Sequence, residues 1–333
     1  MIPNQWYAVL ESSEVRRGRA VGVTRLGEKL VFWRDARGAL TCFADLCPHR
    51  GAALSLGRVV GDCLECPFHG FQYDQTGACR VIPANGRTAP TPPSNRVRTY
   101  PTRDAHGFVW MWWGAASSAL PPIPFFRDLD GGFRYSTLRD HWAVHYSRAI
   151  ENQLDVAHLP FVHATTIGRG GRTLVDGPVV KLEDDLLSVW VLNRVDDGKP
   201  PLKPQEIPTP SRPPSLLFHF PNIWQLRIAE DYRIFVAFVP IDEANTLLYA
   251  RTYQRKVRQP VLRDVAGLVA NLSSRVILNQ DKRVVVTQRP LRTELRMGEK
   301  LIQGDRPIVI YRSRREELIR EPQPSVPEAA ETP

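Results

Sequence analysis

One cysteine and one histidine lie close together in each of two short stretches, Cys47-Pro48-His49-Arg50-Gly51 and Cys66-Pro67-Phe68-His69-Gly70. Thiolates and imidazoles are common ligands of transition metals, so the two stretches predict a metal centre held between two loops. Two cysteines and two histidines can hold an iron–sulfur cluster asymmetrically, with the cysteines on one iron and the histidines on the other, as in a Rieske [2Fe–2S] centre.

A structural zinc site is the competing interpretation, because zinc also accepts two cysteines and two histidines. Zinc frameworks usually keep the two cysteines together and place the two histidines later in the chain. Here each loop contributes one residue of each kind, which suits two opposed loops that clasp a two-iron cluster. We therefore favour a Rieske cluster whose ligands are Cys47, His49, Cys66 and His69.

These stretches and the residues that follow them resemble the N-terminal Rieske domain of Rieske-type non-haem iron oxygenases. The matching pattern is Cys47-x-His49-x16-Cys66-x2-His69, followed by Gly70-Phe71-Gln72-Tyr73-Asp74 and Gly77. Respiratory Rieske proteins carry an extra cysteine in each loop, joined as a disulfide, whereas the corresponding positions here are Ala52 and Phe68. The resemblance implies a cluster toward the lower end of the Rieske potential range, suited to accept electrons from a ferredoxin or flavin reductase.

The three remaining cysteines, Cys42, Cys63 and Cys79, are not needed as cluster ligands. We expect them to be small buried side chains in a reducing compartment. An odd total of five cysteines argues against a secreted domain held together by disulfides.

The net charge of +9 raises the question of nucleic-acid binding. Basic residues are scattered along the chain, and the densest group, 312–315, is followed at once by two glutamates, so we expect no nucleic-acid partner. A basic surface would instead steer an acidic electron donor toward the cluster. The N-terminus lacks the pattern of a signal peptide, and no apolar run approaches the roughly 20 residues of a membrane span. We therefore expect a cytoplasmic protein that does not enter a membrane.

Turn residues and composition divide the chain into two predicted domains. Residues 1–115 contain short strands, such as those at 21–25, 30–33 and 108–113, and predict an all-β Rieske domain. The segment 116–125 is rich in small residues and then in proline, which is typical of a linker. We assign 126–320 to a catalytic domain with a mononuclear iron, and 321–333 to a disordered tail rich in proline and glutamate.

The second domain is predicted to be α+β, with an antiparallel sheet packed by helices. Four segments rich in β-branched and aromatic residues predict strands, and two segments with apolar residues near helical spacing predict helices. The strand segments are Lys181–Arg194, Ser215–Ile228, Arg233–Pro240 and Asn245–Tyr253, and the helical segments are Val261–Val286 and Arg306–Arg320. Between 196 and 214, many prolines predict an irregular loop, either a cover for a substrate entrance or an insertion without function.

A cluster alone would make an electron carrier, so the other histidines decide whether the chain is a catalyst. Six histidines lie outside the cluster loops, and His158 and His163 stand five residues apart, close to Asp155. Two histidines and one carboxylate with open positions form the iron site of non-haem Fe(II) oxygenases. The segment therefore predicts part of a mononuclear iron site.

Five residues of a straight helix would separate the side chains of His158 and His163 by about 140°. Pro160 disfavours helical geometry at Leu159 and ends the regular hydrogen bonding, so we predict a turn that brings the two histidines together. Asp155 lies three residues before His158, on the same helix face, where its carboxylate can accept a hydrogen bond from the imidazole N–H that faces away from the metal.

The resemblance implies that an aspartate on a late helix completes the iron site. The stretch 279–288 resembles that element, and Asp281 is the residue we choose; Asp264 comes too early in the helix. A salt bridge of Asp281 with Lys282 or Arg283 is the alternative interpretation. We expect no metal-binding role for the remaining histidines, His106, His141, His145 and His219.

The family resemblance also implies an assembly and an activity. In that family, an acid at the position of Asp155 bridges an iron-ligating histidine to the Rieske histidine of a neighbouring subunit, here His69, within a homotrimer. NAD(P)H reduces a separate reductase, electrons enter through the cluster, and Fe(II) activates O2 beside a small hydrophobic substrate.

Hydroxylation, demethylation and desaturation, by monooxygenase or dioxygenase chemistry, are left open, although the chain length is closer to that of single-subunit monooxygenases and demethylases. Four apolar residues near the expected pocket would suit an aromatic substrate, although apolar residues on strands more often belong simply to the core. These are Phe161, Ile223, Trp224 and Phe238. The alternative function is an electron-transfer or redox-sensing protein with no working mononuclear iron.

Overall fold

The structure is a computed structural model that describes residues 1–115, 117, 119–208, 210–257 and 259–321. It divides into two compact units, Met1–Ile123 and Pro124–Arg320. The division falls inside the stretch 116–125 that was predicted as a linker. Residues 116 and 118 of that stretch, residue 209 of the predicted loop, and residues 322–333 of the predicted tail lie outside the described residues, so the predicted domain boundaries stay a prediction.

The first unit is built from short antiparallel strands. Its sheets have the orders β1-β11-β10, β2-β3-β4-β9 and β5-β6-β7-β8. The strands are β1 Gln5–Glu11, β2 Ala20–Arg25, β3 Glu28–Arg34, β4 Leu40–Ala44, β5 Arg58–Val60, β6 Cys63–Glu65, β7 Gln72–Asp74, β8 Cys79–Val81, β9 Thr99–Tyr100, β10 Thr102–Ala105 and β11 Phe108–Trp113. The predicted all-β character of this part of the chain is confirmed.

A hydrophobic core connects these sheets to the cysteines of the two loops. Val31 on β3 pairs with Phe43 on β4, and both side chains are fully buried. They belong to one buried cluster with Leu64, Cys47 and Cys66. Burial of such side chains stabilises the fold by about 1.5–3 kcal/mol each, so the bases of the cluster loops are fixed by packing.

The second unit combines helices with an antiparallel sheet, and the predicted α+β class is confirmed. The sheet order is β12-β18-β17-β16-β15-β14-β13. Its strands are β12 Arg134–Trp142, β13 Leu174–Glu183, β14 Leu186–Arg194, β15 Leu216–His219, β16 Ile223–Ala229, β17 Tyr232–Pro240 and β18 Thr246–Gln254. The helices are α1 Tyr146–Leu154, α2 Leu159–Val162, α3 Pro260–Val285 and α4 Arg306–Arg320.

Two of the four predicted strand segments are hairpins. Lys181–Arg194 contains the end of β13 and all of β14, joined by Asp184 and Asp185, whose φ angles are 46° and 61°. Aspartate tolerates this left-handed region, so a tight turn forms without the glycine that would have marked it in the sequence. Ser215–Ile228 likewise contains β15 and all but the last residue of β16, with a turn at 220–222.

Helix α3 lies along the edge strand β12, and three contacts fix its position. Gly267 allows close approach, because a Cβ atom there would stand 3.1 Å from the Cβ of Ser136. Asn271 donates a hydrogen bond to the carbonyl of Thr137, and Lys282 donates one to Asp140 at 3.0 Å. These contacts orient α3 so that the face that carries Asp281 points inward.

Buried ion pairs fix helix α1. Arg312 on α4 donates two hydrogen bonds, of 2.8 and 2.6 Å, to the carboxylate of Glu151 on α1. Arg148 on α1 and Arg312 also share Glu299, at 2.9 and 2.7 Å. The helix that leads into the histidine segment is therefore anchored by charged side chains as well as by apolar packing.

None of the helices in the described part of the chain combines the length and the apolar character needed to cross a membrane.

Candidate metal centres

The two cluster loops repeat the same backbone turn. Gly51 N–H donates to the carbonyl of Cys47 at 2.8 Å, and Gly70 N–H donates to the carbonyl of Cys66 at 3.1 Å. Each cysteine N–H donates in turn to the carbonyl of the residue after the glycine, at 2.8 Å in both loops. Both glycines have φ of 73°, a conformation that side chains rarely adopt, so glycine is required at the same place in each loop.

Cysteines and histidines of the loops lie at different depths. Cys47 and Cys66 are each only 2% exposed, whereas His49 and His69 are exposed. The two imidazole rings lie 4.6 Å apart between centroids. This arrangement fits a cluster whose cysteine-bound iron lies inward and whose histidine-bound iron lies at the surface.

Neighbouring side chains also fit a bound cluster. The hydroxyl of Tyr73 lies 3.2 Å from the sulfur of Cys47. Burial raises the pKa of Tyr73, and so does the neighbouring Cys47, so the phenol stays protonated and can donate a hydrogen bond to a thiolate. Burial also raises the pKa of Cys66, so its thiolate needs a bound cation.

The other cysteines, Cys42, Cys63 and Cys79, are buried, and none of the five described cysteines forms a disulfide. Ala52 is partly buried and Phe68 is 57% exposed, and the ring of Phe68 lies 3.8 Å from that of His69. The two positions that carry a disulfide in respiratory proteins thus contribute an apolar contact and an exposed aromatic ring.

In the second unit, the break before His158 is not caused by Pro160, contrary to our prediction. Helix α1 ends at Leu154, and α2 begins at Leu159 with Pro160 in its first turn. Proline is tolerated there because the first N–H groups of a helix have no partner within it. Asp155 makes the break, since its Oδ1 accepts hydrogen bonds from the N–H groups of Ala157 at 2.7 Å and His158 at 3.3 Å.

The predicted iron ligands His158, His163 and Asp281 lie together. Each offers one ligand atom, and the three atoms lie within 4.8 Å of one another. Asp281 Oδ1 is 2.9 Å from Nε2 of His163 and 3.6 Å from Nε2 of His158. His163 and Asp281 are buried, and His158 is partly buried. The structure therefore brings the two histidines together with a carboxylate from a distant part of the chain. Asp281 lies 118 residues after the nearer histidine, His163.

Unpartnered polar atoms show that this triad suits a metal ion. Asp281 Oδ1 is buried and accepts no hydrogen bond from the described residues, although a histidine nitrogen lies 2.9 Å away. A buried carboxylate oxygen without a hydrogen bond is costly, and a divalent cation between the three ligand atoms would satisfy it. Nitrogen and oxygen donors of this kind suit iron.

Residues around the triad orient its predicted ligands, and no sequence pattern pointed to them. Gln280 Oε1 lies 2.8 Å from Nδ1 of His163 and accepts a second hydrogen bond from the hydroxyl of Thr166 at 2.9 Å. The hydrogen bond at Nδ1 leaves Nε2 free to face Asp281. Gln153 contacts the other carboxylate oxygen of Asp281 at 3.4 Å. Gln280 stands beside Asp281 in the chain, but only the fold shows that it faces His163.

Asp155 is next to His158 but does not make the predicted hydrogen bond to its ring. Asp155 Oδ2 lies 3.7 Å from Nδ1 of His158, which has no hydrogen-bond partner among the described residues. Burial alone would raise the pKa of Asp155, but the His158 side chain and the N–H groups of Ala157 and His158 lower it overall. The carboxylate is therefore held as an anion beside His158.

Neighbouring side chains also shift the pKa of His163. Burial acts to lower the pKa of its imidazole, but the side chains of Asp281 and Gln280 raise it overall. A metal ion at Nε2 would compete with that proton.

The other candidates make different contacts. Asp264 pairs with Arg263 at 3.0 Å, and Lys282 pairs with Asp140. Because Lys282 is paired with Asp140 instead, the carboxylate of Asp281 faces the two histidines. His141 contacts Asn245 at 2.9 Å. His145 caps α1, and its pKa is lowered to about 3 by burial and by nearby arginines.

Three of the four apolar residues predicted near the pocket, Ile223, Trp224 and Phe238, are buried, whereas Phe161 is 70% exposed. A cavity of about 940 Å³ lies elsewhere in this unit, between the first half of α3 and the ends of β12, β17 and β18. Cavity volume therefore does not identify the site of the reaction, whereas the convergence of the three ligand atoms does.

Comparisons with known proteins agree with both centres. The family profile of the Rieske [2Fe-2S] domain matches residues 5–101, and that of the vanillate O-demethylase oxygenase C-terminal domain matches residues 142–321, more than half of the chain. The toluene-4-sulfonate monooxygenase system iron-sulfur subunit TsaM1 of Comamonas testosteroni is 31% identical over 169 residues, 50% of this chain and 48% of that protein. Oxidoreductase NdmD of Pseudomonas putida is 38% identical over 112 residues, 33% of this chain and 19% of that protein. The chain thus spans less than half the length of these curated relatives.

Solved structures share the fold over nearly the whole chain. NdmA of Pseudomonas putida CBB5 superposes with a TM-score of 0.74 at 21% identity, covering 94% of this chain and 89% of NdmA. Dicamba monooxygenase bound to dicamba superposes with a TM-score of 0.73 at 19% identity, covering 96% of this chain and 98% of that chain. From its two matched domains, the chain belongs to the Rieske-type non-haem iron oxygenases, with a C-terminal domain of the vanillate O-demethylase oxygenase type.

Proposed function

We propose that this protein is a terminal oxygenase that receives electrons from a separate reductase through its Rieske cluster and oxygenates a small hydrophobic substrate. Its four cluster ligands are Cys47, His49, Cys66 and His69. The convergence of His158, His163 and Asp281 carries the proposal, because an electron carrier needs no such triad. When bound there, Fe(II) would supply reductive activation of O2 next to the substrate.

Side chains of this protein prepare that site before any substrate binds. Gln280 holds the ring of His163 so that Nε2 faces the metal position, and Thr166 fixes Gln280 in turn. Gln153 restrains the carboxylate of Asp281. Such outer contacts typically contribute about 10–100-fold to metal affinity or activity. The buried surroundings exclude bulk water and keep these contacts strong.

We propose that Asp155 links this site to the Rieske histidine of a neighbouring subunit in a homotrimer. Its Oδ1 is held by two backbone N–H groups, and its Oδ2 has no hydrogen bond among the described residues. The side chain is 30% exposed, so a partner could reach the free oxygen while His158 lies on the other side. By the family resemblance, that partner is the partner subunit's His69.

The electron donor is proposed to be a ferredoxin or flavin reductase that draws on NAD(P)H, in the cytoplasm. The net charge of +9 favours an acidic donor. The rate of cluster reduction should therefore fall as salt rises, and a rate independent of salt would refute electrostatic steering.

The substrate is proposed to be aromatic or otherwise ring-shaped, and the reaction monooxygenation or oxidative demethylation. The proteins it resembles include a toluene-4-sulfonate monooxygenase subunit, dicamba monooxygenase and NdmA, which was solved with caffeine.

Iron content and oxygen uptake test the proposal together. The purified chain should hold about three irons, two in the cluster and one in the triad. His158→Ala should keep the visible spectrum of the cluster, retain about two irons and lose substrate-dependent O2 uptake. His141→Ala, a histidine outside the triad, is the matched control and should behave as the wild type. If the wild type holds two irons and no substrate in a broad screen stimulates O2 uptake, the protein is an electron-transfer or redox-sensing protein instead.

A further inference from the structure

A groove in the second unit adjoins the segment that carries the two iron-ligand histidines. It consists of two neighbouring cavities of about 450 and 350 Å³ that share Arg172, Val191 and Asn193. This size is typical of sites for small organic ligands. The groove lies between strands β13 and β14 on one side and residues 159–172, 202–208 and Arg212 on the other.

Most of the side chains that line this groove are apolar. Leu159 and Pro160 form one wall, directly after His158, and Ile167 forms another. Ile207 and Pro208 line the second cavity. A ligand in the groove would therefore contact a mainly hydrophobic surface one residue away from an iron ligand.

The wall of the groove is tied firmly to the histidine segment. Gly168 N–H donates to the carbonyl of His163 at 3.0 Å. Gly168 also packs so closely on α2 that a Cβ atom there would lie 1.9 Å from the carbonyl oxygen of Leu159. Contacts to a ligand at 167–172 are therefore made by a segment held against the metal site.

Charge in the groove is one-sided among the described residues. Three arginines line it, Arg169, Arg172 and Arg212, and the carboxylate that lines it, Asp176, already accepts hydrogen bonds from Arg194 and from the N–H of Leu202, both at 2.8 Å. Arg169 and Arg212 each donate to a backbone carbonyl.

The side chain of Arg172 has no hydrogen bond or ion pair with any described residue. It lines both cavities, so it lies where they meet. A planar guanidinium without a partner, above an apolar groove, matches a carboxylate or sulfonate.

We propose that this groove binds the substrate and that Arg172 recognises an oxyanion on it, so that the preferred substrates are apolar ring compounds with a carboxylate or sulfonate. Asn193 adds a polar contact, since its Oδ1 is buried and accepts no hydrogen bond from the described residues, while its amide donates to Val156. A donor group on the ligand would satisfy it. The inference rests on the proposed function because it treats the groove as part of the same substrate site.

Matched pairs of probes test the charge directly by titration calorimetry on the whole chain. Each pair keeps the ring and removes the charge: 4-methoxybenzoate with 4-methoxybenzamide, and naphthalene-2-sulfonate with naphthalene-2-sulfonamide. The wild type should bind the anion of each pair about tenfold or more tightly, as expected for a charge-assisted hydrogen bond. Equal affinities within both pairs, or no binding of either anion up to about 10 mM, would overturn the proposal.

Variants test whether Arg172 causes the preference for the anion over the neutral probe. Arg172→Gln should abolish it while leaving the affinity for the neutral probes unchanged, and Arg172→Lys should restore part of it. Arg127→Gln, which removes an exposed arginine outside the groove, is the matched control and should keep the full preference. Ile167→Ala should weaken both members of each pair about equally, by roughly threefold. A preference that survives Arg172→Gln, or that Arg127→Gln also removes, would contradict the assignment.

Measuring anion binding separately from O2 uptake distinguishes a failure of this inference from a failure of the proposed function. Asp281→Asn should lose substrate-dependent O2 uptake but keep the preference for the anion, because the groove does not include Asp281. If anions bind as predicted and the wild type has no oxygenase activity, the groove stands and the proposed function fails. If oxygenase activity is found and the anion preference is absent, the proposed function stands and the assignment of the groove fails.

Discussion

The two metal centres are held in different ways. In the first unit, paired backbone turns position the ligands, with the cysteines buried and the histidines exposed. In the second unit, side chains from separate helices position three ligands with little exposure. Exposed histidines suit the entry and exit of electrons at a surface, and an enclosed triad suits a reaction that must be shielded from water. The difference agrees with the proposed roles of electron transfer at the first centre and oxygenation at the second.

Removing one ligand from each centre is the largest expected effect and tests whether the centres are independent. Cys66→Ala should abolish the cluster spectrum while the second unit still binds Fe(II), and Asp281→Asn should do the opposite. Each should lower O2 uptake by more than about a hundredfold, since even outer partners of a metal are worth about 10–100-fold. Absorbance, iron titration and O2 uptake measure the three outcomes. Asp264→Asn, on the same helix as Asp281, should change none of them.

Breaking the ion pair that anchors α1 should destabilise only the second unit. Arg312→Met leaves the buried carboxylate of Glu151 without its two hydrogen bonds, so the free energy of unfolding should fall by about 3–5 kcal/mol. Urea denaturation followed by circular dichroism measures this loss, and the cluster absorbance should be retained in buffer. Arg314→Met, which removes more exposed ion pairs, should cost about 1 kcal/mol or less. Similar losses in both variants would contradict the special role of the buried pair.

A smaller effect is expected from the residue that orients His163. Gln280→Leu removes the acceptor at Nδ1, so the affinity of the triad for Fe(II) should fall by about 10–100-fold. Fe(II) titration under anaerobic conditions checks this, with the cluster potential as an internal control. Gln288→Leu, an exposed glutamine three residues beyond α3, should have no effect. An unchanged affinity in Gln280→Leu would show that His163 is oriented by packing alone.

The smallest effect should appear at the cluster. Tyr73→Phe removes the hydroxyl beside Cys47, which stabilises the more negative reduced cluster, so the reduction potential should fall by about 60 mV, a tenfold change in a one-electron equilibrium. Spectroelectrochemical titration measures the shift, and iron binding to the triad should not change. Tyr100→Phe removes a tyrosine hydroxyl that bonds to Glu28 instead, and serves as the control. A potential that does not move would rule out this hydrogen bond.

Residues close together in the chain allowed the first centre to be predicted. Each cluster loop closes on itself within six residues, so the spacing of Cys47 and His49, and of Cys66 and His69, already fixes their neighbourhood. The helices at 260–285 and 306–320 also followed from apolar spacing, because that pattern depends on local geometry. The hairpin turns at 184–185 and 220–222 were missed, because no glycine interrupts the apolar pattern there.

By itself, the sequence determined the all-β first unit, and it predicted the cluster ligands and the pairing of His158 with His163, because these depend on short-range order along the chain. Only the tertiary structure decided which acid meets those histidines, since the packing of α3 on β12 sets the face on which Asp281 lies. It also decided that Gln280 orients His163 and that Asp155 bonds to backbone N–H groups rather than to a ring. Contacts between residues far apart in sequence depend on how whole elements pack, and no local pattern records that.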